Sequence, residues 1–210
     1  MKKNDKLPFL RHYIKIPYLL KILETGNIKL VKPDNWKDEN DIASVNAYKR
    51  YKKAKVVCVF CFAYGNESVH HWLNYAPKNS CCVYFNEVKL FSILSEIKDI
   101  KKGKVIYIPS KELLASKLKK MRPEKIPFIK RRPYDCEKEY RIIWTGNKVN
   151  DQPKINVLDC IEKITLSPNF DVHLLDKIEK AKKKTKRKID INRSRILAEN
   201  GWISKFNNLY

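Results

Sequence analysis

The segment Asp135-Cys136-Glu137-Lys138-Glu139-Tyr140-Arg141-Ile142-Ile143-Trp144 carries two patterns at once. On strand geometry successive side chains point to opposite faces. That predicts an apolar face of Tyr140, Ile142 and Trp144 and a charged face of Glu137, Glu139 and Arg141. Burying charge without partners is costly. The charged face is therefore either solvated, with Arg141 pairing a neighbouring glutamate, or it lines a cleft.

The neighbouring elements set the fold class. Val56 to Ala63 is a continuous apolar run of the kind found in a fully buried strand. Further strands are expected at Leu10–Ile14, Ile28–Val31, Ser80–Phe85, Val105–Ile108 and Ile161–Leu166, with a last edge strand near Arg195–Leu197 or Ile203. A helix opens at Pro17, where the missing N–H does no harm, and closes at Gly26. Others are expected over Ile42–Lys55, Glu67–Tyr75, Val88–Glu96 and Val172 to about Arg187, and one capped by Ser110 and broken by Pro123 and Pro127. Short strands mix irregularly with helices and no repeat is present, so the class is α+β rather than a regular parallel βαβ sheet. A chain of 210 residues predicts a single domain over residues 1–210.

Charge is lopsided: 45 Lys and Arg against 23 Asp and Glu give a net +22. Such an excess attracts polyanions through a sequence-independent, salt-sensitive attraction, so nucleic acid is the first expected partner and an acidic protein the second. The basic residues fall in patches. In Lys177–Lys188 eight of twelve are basic, among them Lys182, Lys183, Lys184, Lys186 and Arg187. Lys52-Lys53, Lys101-Lys102, Lys119-Lys120 and Lys130-Arg131-Arg132 add smaller clusters.

No apolar run approaches the roughly 18 residues that span a bilayer. The start, Met1 to Pro8, is basic but lacks the apolar region of a signal peptide, and the cytoplasm is the expected compartment. The six cysteines then read as reduced thiols. Cys58-x-x-Cys61 with Cys81-Cys82 invites a zinc reading, but a strand through Cys58 and Cys61 sends them to opposite faces, and no metal is expected.

The ordered motifs resemble a family of bacterial and phage proteins. Its strand–helix–Gly–strand opening is matched from His12-Tyr13 through Gly26 to Trp36. Its Cys-Phe-Ser strand is matched by Cys61-Phe62-Ala63, and its Trp-Ser-His-Tyr-Ala helix by Trp72-Leu73-Asn74-Tyr75-Ala76. Its Tyr-Glu-x-Glu-x-Arg strand is matched by Glu137, Glu139 and Arg141, and its Ile-x-Leu-Gly-Pro segment by Ile164 to Pro168. The layout is also similar to the mono-ADP-ribosyltransferase fold, a split mixed sheet with flanking helices. Ala63 departs from a frequent Ser, Lys37-Asp38-Glu39 stands for an Asn-Asp-Pro turn, and a Ser-Thr-Ser triplet is missing.

The resemblance implies NAD as co-substrate, with Glu139 as the catalytic acid and Glu137 beside it to activate the acceptor. Arg11 or His12, Tyr13, Trp72, Tyr75 and Arg141 would serve as cofactor-binding residues. The +22 charge makes nucleic acid, RNA favoured, the expected acceptor of such an enzyme, which would then be a toxin or phage-defence protein held in check by a partner antitoxin. The alternative from a different class is a catalytically inert, basic nucleic-acid-binding protein of the same fold. His12 has an equally good reading as a core histidine, and Trp72 and Tyr75 share a helix face that packing alone would explain.

Overall fold

The structure, a computed structural model, describes residues 9–113, 115–207 and 209. The basic N-terminal segment, Met1 to Pro8, lies outside the described residues. In chain order the first elements are β1 (Phe9–Lys15), α1 (Ile16–Thr25), β2 (Asn27–Ile28), α2 (Glu39–Tyr51), β3 (Val56–Ala63), α3 (Val69–Tyr75) and β4 (Ser80–Asn86). Then come α4 (Glu87–Ser95), β5 (Ile100–Lys104), β6 (Ile106–Ile108), α5 (Ala115–Lys120), β7 (Ile129–Arg131) and β8 (Glu139–Gly146). The chain continues through β9 (Ile155–Asn156), β10 (Ile161–Leu166), α6 (Leu175–Lys184), β11 (Asp190–Arg193) and α7 (Asn200–Asn207). The class is mixed α+β.

These elements group into two compact units. The first takes the chain to Asn27, Gly65–Glu87 and the chain from Val157; the second takes Ile28–Tyr64 and Val88–Asn156.

In the first unit the strand order is β11-β10-β4-β1. β1/β4 and β4/β10 are antiparallel, while β10/β11 is parallel, so this sheet is mixed. Helix α1 packs on β1, β4 and α6 through Ile16, Leu19, Ile22 and Leu23. Pro17 sits in its first turn. Gly26, at φ +73°, closes it and donates its N–H to the Ile22 carbonyl at 2.7 Å. That left-handed conformation is one glycine adopts at little cost.

In the second unit β3, β8 and β5 form an antiparallel set in that order, and β6 and β7 pair in parallel. α2 closes a core of Val45, Tyr48, Val57, Val59, Phe128 and Ile143. Its N-terminus is capped by Asp38, whose carboxylate accepts from the Asn40 N–H at 3.0 Å.

Several boundaries differ from the sequence reading. The strand expected at Ile28–Val31 is only Asn27–Ile28, with Val31 making one isolated bridge to Val59. Ser110 begins a 3-10 turn (Ser110–Glu112) and caps no helix with its side chain. β5, Ile-Lys-Lys-Gly-Lys, reads in the sequence only as a basic patch, because an edge strand need not alternate apolar with polar. The last edge strand is Asp190–Arg193, and Ile203 lies in α7. The basic helix ends at Lys184, and Lys186 turns left-handed at φ +55°.

Candidate functional site

The charged half of the Asp135–Trp144 segment is not one continuous strand. Arg132–Glu137 forms a 3-10 turn, Lys138 is left-handed at φ +46°, and β8 starts at Glu139. Glu137 therefore reaches the site from a turn, and only Glu139 and Arg141 share the strand face. The backbone of Glu139 is fixed on both sides: its N–H donates to the Tyr107 hydroxyl at 2.8 Å, and its carbonyl accepts from Val105 N–H at 2.9 Å. Across the ladder Ala63 lies opposite Glu139, and Cys61 and Gly103 flank Arg141.

The charged face is buried, not solvated. Arg141 has no exposed surface, and Glu139 and Glu137 are 7% and 6% exposed. Arg141 grips Glu139 with two bonds, Nε to Oε1 at 2.7 Å and Nη2 to Oε2 at 2.8 Å. Nη2 also donates to Asp41 Oδ2 at 2.6 Å, and Nη1 to the Pro127 carbonyl at 2.9 Å. The guanidinium lies over the Trp36 ring, 5.4 Å from its centre. Lys130, from β7, adds a second cation: its Nζ is 2.5 Å from Glu137 and 3.4 Å from both Glu139 and Asp41. Three carboxyl groups thus face two cations. One atom of this cluster, Asp41 Oδ1, is buried without a hydrogen-bond partner.

Burial alone would push the Glu139 carboxyl up; the charge and hydrogen bonds of Arg141, with the charge of Lys130, more than reverse this and hold it at about 2. Burial works against Lys130 as well, but Glu139, Asp41 and Glu137 keep its ammonium well above the usual lysine range. At Asp41 burial wins over Arg141 and Lys130 and the carboxyl is raised. Glu139 is thus ionised at neutral pH.

A carboxyl depressed in the folded state adds stability above its unfolded value and loses it as pH falls toward the folded one. For Glu139 that window runs from 4.5 down to about 2, and the full contribution is roughly 3 kcal/mol. Urea midpoints between pH 7 and pH 3 are expected to show wild type losing its advantage over Glu139→Gln below about pH 4.5. An advantage that stays constant across that range would contradict the ion-pair geometry.

The residues expected to bind NAD divide between the two units. Arg11, His12, Tyr13, Trp72 and Tyr75 all belong to the first unit, whereas Glu137, Glu139 and Arg141 belong to the second. Arg11, Tyr13 and Trp72 are buried together. Arg11 Nη1 lies 3.4 Å from the Tyr13 hydroxyl, and Tyr13 stacks on His71 at 5.0 Å and meets Trp72 edge-on at 5.1 Å. Trp72 Nε1 donates to Glu67 at 2.5 Å. Of the five, His12 keeps part of its surface and Tyr75 is 45% exposed. Trp72 and Tyr75, three apart, therefore do not share a buried face.

The basic tract divides by partner. Lys182 pairs with Glu179 at 2.8 Å and Arg187 with Asp159 at 3.0 Å. Lys177, Lys180, Lys183, Lys184, Lys186 and Lys188 are at least partly exposed. Lys130, grouped with Arg131 and Arg132 as a surface patch on sequence, is turned into the carboxylate cluster.

Sequence reasoning missed Lys130 and Asp41. The signal for Asp41 was present: the Asn-Asp pair sought at Lys37-Asp38-Glu39 stands three residues on, as Asn40-Asp41. For Lys130 there was none, since a lysine among arginines reads as solvated. Among the described residues no group of three or more His, Cys, Asp or Glu could hold a metal, the cysteines are free thiols, and no helix is long and apolar enough to cross a membrane. No protein-family model, curated protein or solved structure matches the chain.

Proposed function

We propose that the protein cleaves the nicotinamide glycosidic bond of NAD and transfers the ADP-ribose, with nucleic acid, RNA favoured, as acceptor. The observation that carries this reading is the Glu139 carboxylate, buried, ionised and fixed by Arg141 and Lys130 at the start of β8. Breaking the C–N bond sends its electron pair to the nicotinamide nitrogen, which leaves neutral, while positive charge builds on the ribose carbon. A carboxylate already in place stabilises that charge without reorganising. The acceptor then bonds to the ribose carbon and gives up a proton, for which Glu137 is the candidate base. Such an activity suits a toxin or phage-defence enzyme restrained by an antitoxin.

A second reading has its own observation. Both oxygens of Glu139 are already engaged by Arg141 and Lys130, as they would be in an ion network that only holds the fold. The chain would then be an inert, basic nucleic-acid-binding protein. Nicotinamide release from NAD by the purified protein separates the two, since the second reading expects none.

Both readings place a polyanion on the exposed lysines. Replacing Lys177, Lys180, Lys183, Lys184 and Lys186 with Gln is expected to weaken RNA binding equally for different sequences. It should also flatten the log–log salt dependence by about 0.7 for each single-strand phosphate that is no longer neutralised. The same change at Lys182 alone is expected to do less, because Glu179 already pairs with it. Unchanged affinity and salt slope in the five-site variant would remove the tract from the interface.

A further inference from the structure

The two short parallel strands that reach Glu139 also lead elsewhere. Tyr107 on β6 accepts the Glu139 N–H, and Lys130 on β7 faces its carboxylate. Immediately beyond these strands the chain forms the walls of an open cavity of about 540 Å³, lined by Pro109, Ser110 and Lys111 after β6 and by Arg132 and Pro133 after β7. That size falls within the range of small-molecule sites. Two proline rings give flat apolar walls, and two exposed cations stand beside them. Among the described residues neither Lys111 nor Arg132 is held in an ion pair, in contrast to Lys130 and Arg131, which have carboxylate partners.

The geometry points to this cavity as a seat for a nucleoside diphosphate: the base against Pro109 and Pro133, the phosphates on Lys111 and Arg132. A planar guanidinium can hold phosphate oxygens in pairs, and an ammonium adds a point charge. Arg132 follows Lys130 by two residues and Lys111 follows Tyr107 by four. Even a fully extended chain would keep the Cα atoms of Arg132 and Lys111 within about 7 and 13 Å of those of Lys130 and Tyr107, and the 3-10 turns at both residues shorten this. A diphosphate-linked ligand can bridge that distance. Resting on the proposed role of Glu139, the ligand is the ADP end of NAD, whose nicotinamide ribose would lie toward Glu139. Under this assignment the chain through β6 and β7 carries both the diphosphate seat and groups that hold Glu139.

Calorimetric titration of the full-length protein with ADP tests this, because ADP has no bond for Glu139 to cleave. Wild type is expected to bind ADP, and Lys111→Ala/Arg132→Ala to bind it at least tenfold more weakly. Both residues are exposed, so the melting temperature should not change, and a Lys15→Ala/Lys78→Ala control, also exposed, should bind within twofold of wild type. Glu139→Gln should also bind ADP within twofold, whatever happens to NAD cleavage. The cavity assignment is overturned if wild type does not bind ADP, if the Lys111/Arg132 variant binds as wild type does, or if the control pair weakens binding as much. It is equally overturned if Glu139→Gln loses ADP as strongly as the cavity variant, which would put the ligand at the carboxylates. A protein that binds ADP in this pattern yet releases no nicotinamide keeps the cavity and loses the transferase reading.

Discussion

Arg141→Met is expected to destabilise the protein by about 3–5 kcal/mol, the usual cost of removing one partner from a buried ion pair. The side chain has no exposed surface and serves three groups: both oxygens of Glu139, Asp41 Oδ2 and the Pro127 carbonyl. Met fills a similar volume but leaves three carboxyl groups, Asp41, Glu137 and Glu139, facing Lys130 alone. Arg141→Lys should recover only part of the loss, because an ammonium cannot form the two-pronged contact with Glu139 while also reaching Asp41 and Pro127. Adding Glu139→Gln to Arg141→Met should cost less than the sum of the single changes, since the orphaned charge goes with it. Urea denaturation of these variants beside wild type measures this. A loss below about 1 kcal/mol for Arg141→Met, the level of an exposed pair, would contradict the buried network.

Glu139→Gln is expected to lower nicotinamide release from NAD by two or more orders of magnitude, the scale on which preorganised electrostatic groups act. Gln is nearly isosteric and keeps an oxygen for Arg141. The stability cost should therefore stay at roughly 1–3 kcal/mol, that of weakening a hydrogen bond to a charged group. The protein would remain folded for the assay. Glu137→Gln provides the contrast: Glu137 pairs with Lys130, and its loss should impair transfer to the acceptor more than hydrolysis of NAD. Activity in Glu139→Gln within a few-fold of wild type would leave the carboxylate a purely architectural role.

Much of the fold is legible in the sequence because its signals are local. Val56–Ala63 reads directly as a strand from its apolar run, and Pro17 and Gly26 bracket α1 as their backbone preferences require. The site is legible only in part. Strand periodicity pairs Glu139 with Arg141 correctly, but it also puts Glu137 on the same strand, because the left-handed turn at Lys138 has no glycine or asparagine to announce it. The burial of the charged face stays open on sequence, since it depends on Asp41 and Lys130 arriving from α2 and β7. Asp41 and Arg141 meet across 100 residues of chain, and periodicity carries no information about such pairs. The aromatic set of the first unit fails in a different way. Trp72 and Tyr75 have the spacing of one helix face, yet in a seven-residue helix one turns inward to Glu67 and the other stays exposed.

The most direct measurement is the rate of nicotinamide release when purified wild-type protein is given NAD, with and without RNA. The account predicts turnover above the buffer background that rises when RNA is present, with ADP-ribose recovered on the RNA. A folded protein, shown to have a cooperative melting transition, that leaves NAD intact under both conditions would contradict it.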